Sequence, residues 1–330
     1  MKKFLLIFII ISNVQIAKAD DSVTVYSSRK AHLIKPLFDQ FTEDTGIKVK
    51  YLTGKGTSLI ERLKLEGANT HADMLMTVDA GNLWYAGSQN LFQPVISETL
   101  NQNIPEHLRD PNGLWTGLSV RARTIVYNTE RVKVSDLSTY SDLASAKWRY
   151  RLCLRTSKKI YSKSLVASIL HHHGFNKTKQ IVKGWVTNLA AMPHAKDSHV
   201  MRAIMFGQCD VGIVNTYYYG RLIAKKPYLP LKLFWANQNT TGVHVNVSGA
   251  GVTKHAKNPA GAIKLLEWLS SAKAQRIYGA LNKEYPANQN VAPDEVVATW
   301  GGFKQDKMNL SIVGELQAKA VFIMQIMRYR

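Results

Sequence analysis

Short apolar runs and amphipathic stretches alternate along the first third of the chain. Ile34, Leu37, Phe38 and Phe41 share one face at helical spacing, and Gly46 follows as a C-terminal stop. Runs rich in β-branched and aromatic residues flank this helix, so the pattern predicts strands at 22–26, 47–51 and 73–76, with further helices at 57–66 and from Asp79 onwards. This alternation predicts an α/β fold with a mostly parallel sheet.

The same alternation restarts in the middle of the chain. It predicts strands at 151–155 and 210–214 and helices at 162–172, 198–206 and 263–269. A chain of this length usually forms more than one core, so we expect two lobes. Two long alternating segments would cross between the lobes as a hinge, with the ligand in the cleft. The segments are 118–128 and 243–253; the predicted lobes are 20–119 with 246–293 and 120–245 with 294–330.

The first nineteen residues have the pattern of a secretory signal peptide. Lys2 and Lys3 precede an apolar run at 4–11, and a small-x-small cleavage site ends at Ala19. The run is too short to span a bilayer, which takes about 20 residues. An uncleaved membrane anchor is the alternative, but the polar residues after Ala19 favour cleavage. No lipobox cysteine follows, so we expect a periplasmic protein without a lipid anchor.

The chain is strongly basic, with a formal charge of +20. Removal of the three lysines of the signal peptide leaves +17. Such a charge could suit nucleic acid, an anionic membrane or an anionic ligand. However, the basic residues are scattered, and no zinc-finger or RNP-like pattern occurs, so we do not expect nucleic-acid binding.

Cys153 and Cys209 are the two cysteines of the chain. In an oxidising compartment such a pair favours a disulfide, although two buried free thiols are the alternative.

Polar loops follow three of the predicted strands. Asn215 to Gly220, with three consecutive tyrosines, follows one strand; Ser157 to Tyr161 follows a second; and Ser27 to Arg29 follows the first. Ligands of open α/β sheets bind beyond the carboxyl ends of the strands. A lone tyrosine usually buries its ring and leaves its hydroxyl at the surface, but a cluster there could bind a metal. Phenolate oxygens suit a hard trivalent cation, and three of them would balance Fe³⁺.

Seven segments together resemble the tyrosine-cluster ferric-ion-binding proteins that serve ABC importers. They occur in family order over nearly the whole mature chain, at 25–29, 41–47, 71–80, 117–123, 160–168, 215–220 and 247–252. The resemblance implies a two-lobed periplasmic-binding-protein fold, with mostly parallel sheets flanked by helices and joined by hinge strands. It also implies a monomeric, non-enzymatic receptor that delivers Fe³⁺ to an inner-membrane ABC permease.

The resemblance also implies roles for individual residues. Tyr161, Tyr217 and Tyr218 fall on iron-ligand positions, and Arg29 falls where relatives bind a carbonate-like synergistic anion. Arg121 or Arg123 would assist, because side chains two apart lie on the same face of a strand.

Two further ligand positions of the family are missing from this chain. Lys30 and Ala31 stand where several relatives have a histidine or tyrosine ligand, and Val78 stands where another branch has an acidic one. The remaining ligands would then be an anion, water or His32. The three consecutive histidines at 171–173 diverge around a helix, so we expect them to be solvated. Asp197 and Ser198 precede a predicted helix, and we expect an ordinary N-cap there.

The sequence leaves two other functions open. A receptor for an anionic or phosphate-bearing molecule would use Arg29, Arg121, Arg123 and Lys158 but would not need the tyrosines. An exported enzyme is the second alternative, but the sequence contains neither a Gly-x-Ser-x-Gly elbow nor a His-Glu-x-x-His motif.

Overall fold

The computed structural model describes residues 22–330, and the predicted signal peptide at 1–19 lies outside them. The strands are β1 Ser22–Ser27, β2 Lys48–Thr53, β3 Met74–Val78, β4 Thr116–Asn128, β5 Leu152–Cys153, β6 Val211–Asn215, β7 Leu231–Phe234, β8 Val245–Val252 and β9 Tyr285–Pro286. The α-helices are α1 Ala31–Thr45, α2 Gly56–Glu66, α3 Ala80–Ser88, α4 Glu98–Asn103, α5 Ile160–Asn188, α6 Asp197–Met205, α7 Thr216–Ile223, α8 Pro259–Ser270, α9 Ala272–Asn282, α10 Glu295–Ala298, α11 Ser311–Glu315 and α12 Gln317–Ile326. None of these helices is long and apolar enough to cross a membrane.

Helix α1 shows how the sequence pattern forms an element. Its predicted apolar face is buried, from Ile34 to Phe41. The helix ends at Gly46, which has the left-handed backbone (φ 76°) and donates its N–H to the carbonyl of Thr42. Glycine adopts this conformation without a Cβ clash, so it ends the helix at little cost.

The strands pair in the order β2-β1-β3-β8-β4-β6-β5, with β7 and β9 also on β4. Pairs made by strand–helix–strand units are parallel: β1 with β2, β1 with β3, and β5 with β6. Every pairing that involves β4 or β8 is antiparallel. The sheet is therefore mixed where the pattern predicted a mostly parallel one, because the two long strands run against the βαβ units that they join.

Strand β4 is shared by both halves of the sheet. Residues Thr116 to Ala122 pair with β8, and residues Arg123 to Tyr127 pair with β6. This confirms the two long crossing strands and the α/β class expected from the sequence. The exact lobe boundaries at 119/120, 245/246 and 293/294 stay a prediction.

Cys153 and Cys209 form a disulfide, with Cα atoms 5.9 Å apart. Both are buried with Val200, Ile204 and Val214. The predicted disulfide is thereby confirmed, and it links β5 to the turn before β6.

Two predicted elements have different bounds in the structure. The strand expected at 151–155 is reduced to Leu152–Cys153, and beyond it Arg155 forms only an isolated bridge to His194. The helix expected at 162–172 runs over Ile160–Asn188 and is interrupted at Gly174, whose φ of 69° and ψ of 176° are not helical.

Candidate metal and anion site

A cavity of about 170 Å³ lies where the starts of two helices face the end of β1. Tyr161 is the second residue of α5, and Tyr217 and Tyr218 lie in the first turn of α7, directly after β6. The structure thus brings all three predicted tyrosines into one cavity. Its other lining residues are Ser28, Arg29, Lys30, Leu33, Val78, Arg121, Arg221, Ser248, Asn282 and Glu284.

The tyrosines contact one another directly. The ring centroids of Tyr217 and Tyr218 are 4.4 Å apart, and Tyr161 and Tyr217 are close enough to shift each other's pKa. The amide of Asn215 donates to the hydroxyl of Tyr217 at 3.4 Å. Neighbours this close can offer several phenol oxygens to one ion.

Three arginines surround the tyrosine rings. Arg155 lies 5.0 Å from the ring centre of Tyr161 and 5.7 Å from that of Tyr218, and Arg121 lies 5.3 Å from Tyr161. Arg221 lies 5.3 Å from the ring of Tyr217. A guanidinium at this distance is attracted to the ring, and more strongly to a phenolate. Neither Arg155 nor Arg221 was predicted from the sequence, where the position of Arg155 at the end of a predicted strand was the only local signal.

Burial works against ionisation of the tyrosines. It raises the pKa of Tyr161, although the charge of Arg121 and the hydrogen bond with Tyr217 act in the opposite direction. The pKa of Tyr217 lies well above its ordinary value, first through burial and then through the neighbouring Tyr161 and Tyr218. The unliganded site therefore holds Tyr161 and Tyr217 as neutral phenols, and a bound cation would have to displace their protons.

Arg29 is already paired with a carboxylate. Both of its terminal nitrogens donate to one oxygen of Glu284 at 3.1 Å, and one also donates to Ser248 at 2.6 Å. Burial alone would raise the pKa of Glu284, but the charges of Arg29 and Arg121 hold it below its ordinary value. The Nε atom of Arg29 is buried without a hydrogen-bond partner among the described residues. Arg29 thus lines the cavity with Glu284 as its counter-ion, and Glu284 was not predicted from the sequence.

Arg121 lines the cavity and pairs with Asp79 at 3.4 Å. Asp79 also accepts from Ser164 and Asn246 and caps α3 through the N–H of Gly81. Burial raises the pKa of Asp79. Its backbone has a φ of 134°, a strained value for a residue with a side chain, so the surrounding hydrogen bonds hold it in place.

Arg123 does not line the cavity. It donates to Asp197 at 3.2 Å and to the side chain of Asn215 at 3.2 Å. The second oxygen of Asp197 lies 3.4 Å from Arg155. The expected N-cap role of Asp197 is wrong, because Lys196 is the N-cap and makes no side-chain capping bond. Asp197 is instead the fully buried counter-ion of two arginines.

Other predicted candidates lie outside the cavity or add no ligand. His32 is exposed and does not line the cavity, whereas Lys30 and Val78 do. Of the three consecutive histidines, His172 contacts Asp306 at 2.8 Å, and His171 and His173 are exposed. In residues 22–330, no group of three or more His, Cys, Asp or Glu side chains could hold a metal ion. Within this part of the chain, the tyrosine cluster is the better candidate.

Comparison with known proteins identifies the family. The model of the bacterial extracellular solute-binding proteins matches residues 27–276. The chain belongs to this family. Members are extracytoplasmic transport receptors, in agreement with the two-lobed fold expected from the sequence.

Several relatives cover nearly the whole chain. Iron uptake protein A1 of Synechocystis is 43% identical, over 92% of this chain and 86% of its own length. The Trichodesmium protein IdiA (FutA), solved in complex with iron and citrate ligands, is 44% identical with a TM-score of 0.91, over 94% of this chain and all of its own. The ferric iron-binding protein A of Mannheimia haemolytica, solved in an open conformation, is 36% identical with a TM-score of 0.87, over 93% and 98% of the two chains.

Proposed function

We propose that this chain is the extracytoplasmic receptor of an ABC iron importer, and that its cargo is Fe³⁺ held by Tyr161, Tyr217 and Tyr218. The observation that carries the proposal is the meeting of three tyrosine side chains in one small cavity. The relatives named for iron uptake or ferric iron support the same cargo. A receptor for a phosphate-bearing anion would not need the phenols.

The charge balance explains why the cargo would be trivalent. Ionising one phenol at neutral pH costs about 4 kcal/mol, and burial makes this larger for Tyr161 and Tyr217. A cation must supply that free energy, which favours high charge and a hard acid. Three phenolates cancel the charge of Fe³⁺, so the occupied cluster is neutral.

The rest of the cavity then calls for an anion. Glu284 is its one carboxylate, and it pairs with Arg29. Arg221 bonds the neutral Asn282, and Lys30 has no carboxylate partner among residues 22–330. We propose that an oxyanion binds beside the metal near Arg29 and Arg121, and that it fills coordination positions left open by Lys30, Ala31 and Val78. Carbonate is the first candidate, and the citrate in the Trichodesmium complex supports a larger carboxylate as the second.

The remaining expectations complete the proposal. Residues 1–19 would direct export, and the mature monomer would close its two lobes on iron before it docks on a membrane permease. The proposed lobes are 20–119 with 246–293 and 120–245 with 294–330. Arg123 would act through Asp197 and not by touching the anion.

Single phenol deletions test the metal ligands. Tyr217→Phe and Tyr218→Phe should each weaken ferric affinity at least tenfold and shift the visible phenolate charge-transfer band. Tyr228→Phe is the matched control, because Tyr228 is 98% exposed and does not line the cavity. Isothermal titration with a ferric chelate and an absorption spectrum are the measurements. Titrations of both cavity variants that match that of Tyr228→Phe would contradict the assignment.

The anion is tested by omission. Ferric binding to the intact protein in bicarbonate-free buffer should be weaker than in bicarbonate or citrate. Arg121→Gln should reduce that anion-dependent gain. Equal affinity in all three buffers would contradict the anion role while leaving the tyrosine assignment standing.

A further inference from the structure

A second and larger cavity lies on the opposite side of the hinge strands from the tyrosines. Its volume is about 540 Å³, within the range of small-molecule sites. Val120 lines it, whereas the next residue, Arg121, lines the tyrosine cavity. Likewise, Tyr285 lines it and the preceding Glu284 lines the tyrosine cavity. Because neighbouring side chains of a strand point to opposite faces, the two cavities lie back to back across β4.

The two walls of this hinge cavity are anchored in different parts of the fold. One wall, at 285–291, is held to the helices beside β1, since Ala287 donates to Gln275 and Asn288 donates to Ser270. The other wall, at 303–307, is held to the residues that follow β7 and those that precede β8. There Phe303 stacks on Trp235 at 4.2 Å, and residue 304 accepts from Val243. Rotation of one part against the other must therefore change the cavity's width.

The lining is apolar and aromatic with a positive rim. Tyr285 and Phe303 meet edge to face at 5.2 Å, and Leu108 and Val291 add aliphatic surface. Lys304 and Lys307 are its charged side chains, and no aspartate or glutamate lines it. The hydroxyl of Tyr285 and Nε2 of His107 are buried without a hydrogen-bond partner in residues 22–330. Buried polar atoms usually have partners, so a ligand that reached either atom through a small side-chain rotation would supply the missing hydrogen bond.

We propose that the hinge cavity is a second ligand site, for a small organic anion that carries an apolar ring, and that its occupancy is coupled to opening and closing of the tyrosine cavity. The ring would pack on Tyr285 and Phe303, and the anionic group would face Lys304 and Lys307. A ligand that fits the cavity at one width favours the lobe arrangement that has this width. The ligand then changes the affinity of the protein for metal, and bound metal changes the affinity for the ligand by the same factor.

Two probes with the same ring system test the site in the metal-free protein. They are 8-anilinonaphthalene-1-sulfonate and its uncharged analogue N-phenyl-1-naphthylamine, both followed by fluorescence. We expect one saturable site for the sulfonate. Val291→Trp, which fills the cavity, should abolish binding of both probes. Lys307→Gln should weaken the sulfonate about fivefold, the effect of one exposed charge, and leave the amine unchanged. Lys177→Gln, an exposed lysine on α5, is the matched control.

Coupling is tested by equilibrium dialysis of the sulfonate with and without saturating ferric iron. The proposal predicts that binding persists with iron and that its dissociation constant shifts by a finite factor. The proposal is overturned if iron abolishes sulfonate binding while Val291→Trp and Lys307→Gln both retain it, because the probe would then bind among the tyrosines. Non-saturable binding, absence of binding, or an unchanged dissociation constant would also overturn it. Because the first titrations contain no metal, their outcome is independent of the proposed iron function.

Discussion

Asp197→Asn is the sharpest test of the charge network that supports the tyrosines. The substitution keeps the size of the side chain and removes its charge. Asp197 is fully buried, and its oxygens lie 3.2 Å from Arg123 and 3.4 Å from Arg155. One of them also accepts from the backbone N–H of Asn215 at 3.0 Å. Asparagine would leave two nearly buried guanidinium groups without a counter-ion.

The expected loss of stability follows from that geometry. Breaking a buried ion pair from one side costs about 3–5 kcal/mol, because the remaining charge stays buried and unpaired. For a cooperative unit of 150–250 residues, each 1 kcal/mol lowers Tm by about 2–4 °C, so Tm should fall by roughly 6–20 °C. Asp39→Asn is the matched control: Asp39 pairs with Lys35 at 2.6 Å, but both are 60% exposed, and such pairs contribute about 1 kcal/mol or less.

Thermal unfolding by circular dichroism at neutral pH compares the two variants. A drop in Tm for Asp197→Asn no larger than that for Asp39→Asn would refute the buried-network argument. Ferric affinity provides a second readout, since Arg155 contacts the rings of Tyr161 and Tyr218. We expect weaker iron binding in Asp197→Asn because Arg155 would no longer be held beside the phenols.

Three further predictions concern acid and redox conditions. Bound iron should be released as pH falls, because each phenolate ligand takes up a proton and becomes a phenol. The logarithm of the apparent ferric affinity should drop by up to about three per pH unit. Loss of the visible charge-transfer band measures the release, and an affinity that does not change with pH would contradict phenolate ligation. Burial lowers the pKa of His244 to about 3. Below about pH 6.5 the unfolded chain therefore binds a proton at His244 that the native state does not bind. The free energy of unfolding should fall by up to about 4 kcal/mol between pH 6.5 and 3. His244→Gln should flatten that part of the plot of Tm against pH. Replacing both Cys153 and Cys209 by alanine removes a cross-link over 56 residues and should cost about 4 kcal/mol; an unchanged Tm under non-reducing conditions would contradict this.

Local pattern was sufficient to predict most of the fold and part of the site. The helix α1 and the long strands β4 and β8 were predictable because their apolar spacing repeats over many residues. The meeting of Tyr161 with Tyr217 and Tyr218 was predictable because each follows a strand that ends at the same edge of the sheet. The family resemblance then indicated iron as the metal.

The partners of the arginines could not be predicted in this way. Arg29 and Glu284 are 255 residues apart, and no periodicity links them. Asp197 was misassigned because a carboxylate at the start of a helix already satisfies a local capping rule, and only the folded chain brings Arg123 to it. Pairings of this kind depend on tertiary packing, and a single sequence does not encode them in its local pattern.

The shared strand β4 has a consequence for dissecting the molecule. Residues Thr116 to Ala122 pair with β8, which begins only at Val245. A fragment that stops before Val245 would keep β4 and lose its neighbour, leaving a normally buried strand with unsatisfied backbone groups along one edge. Such an edge recruits other chains. Neither half of this receptor can therefore be cut out as a continuous, monomeric piece, and truncated forms should aggregate while the full chain does not.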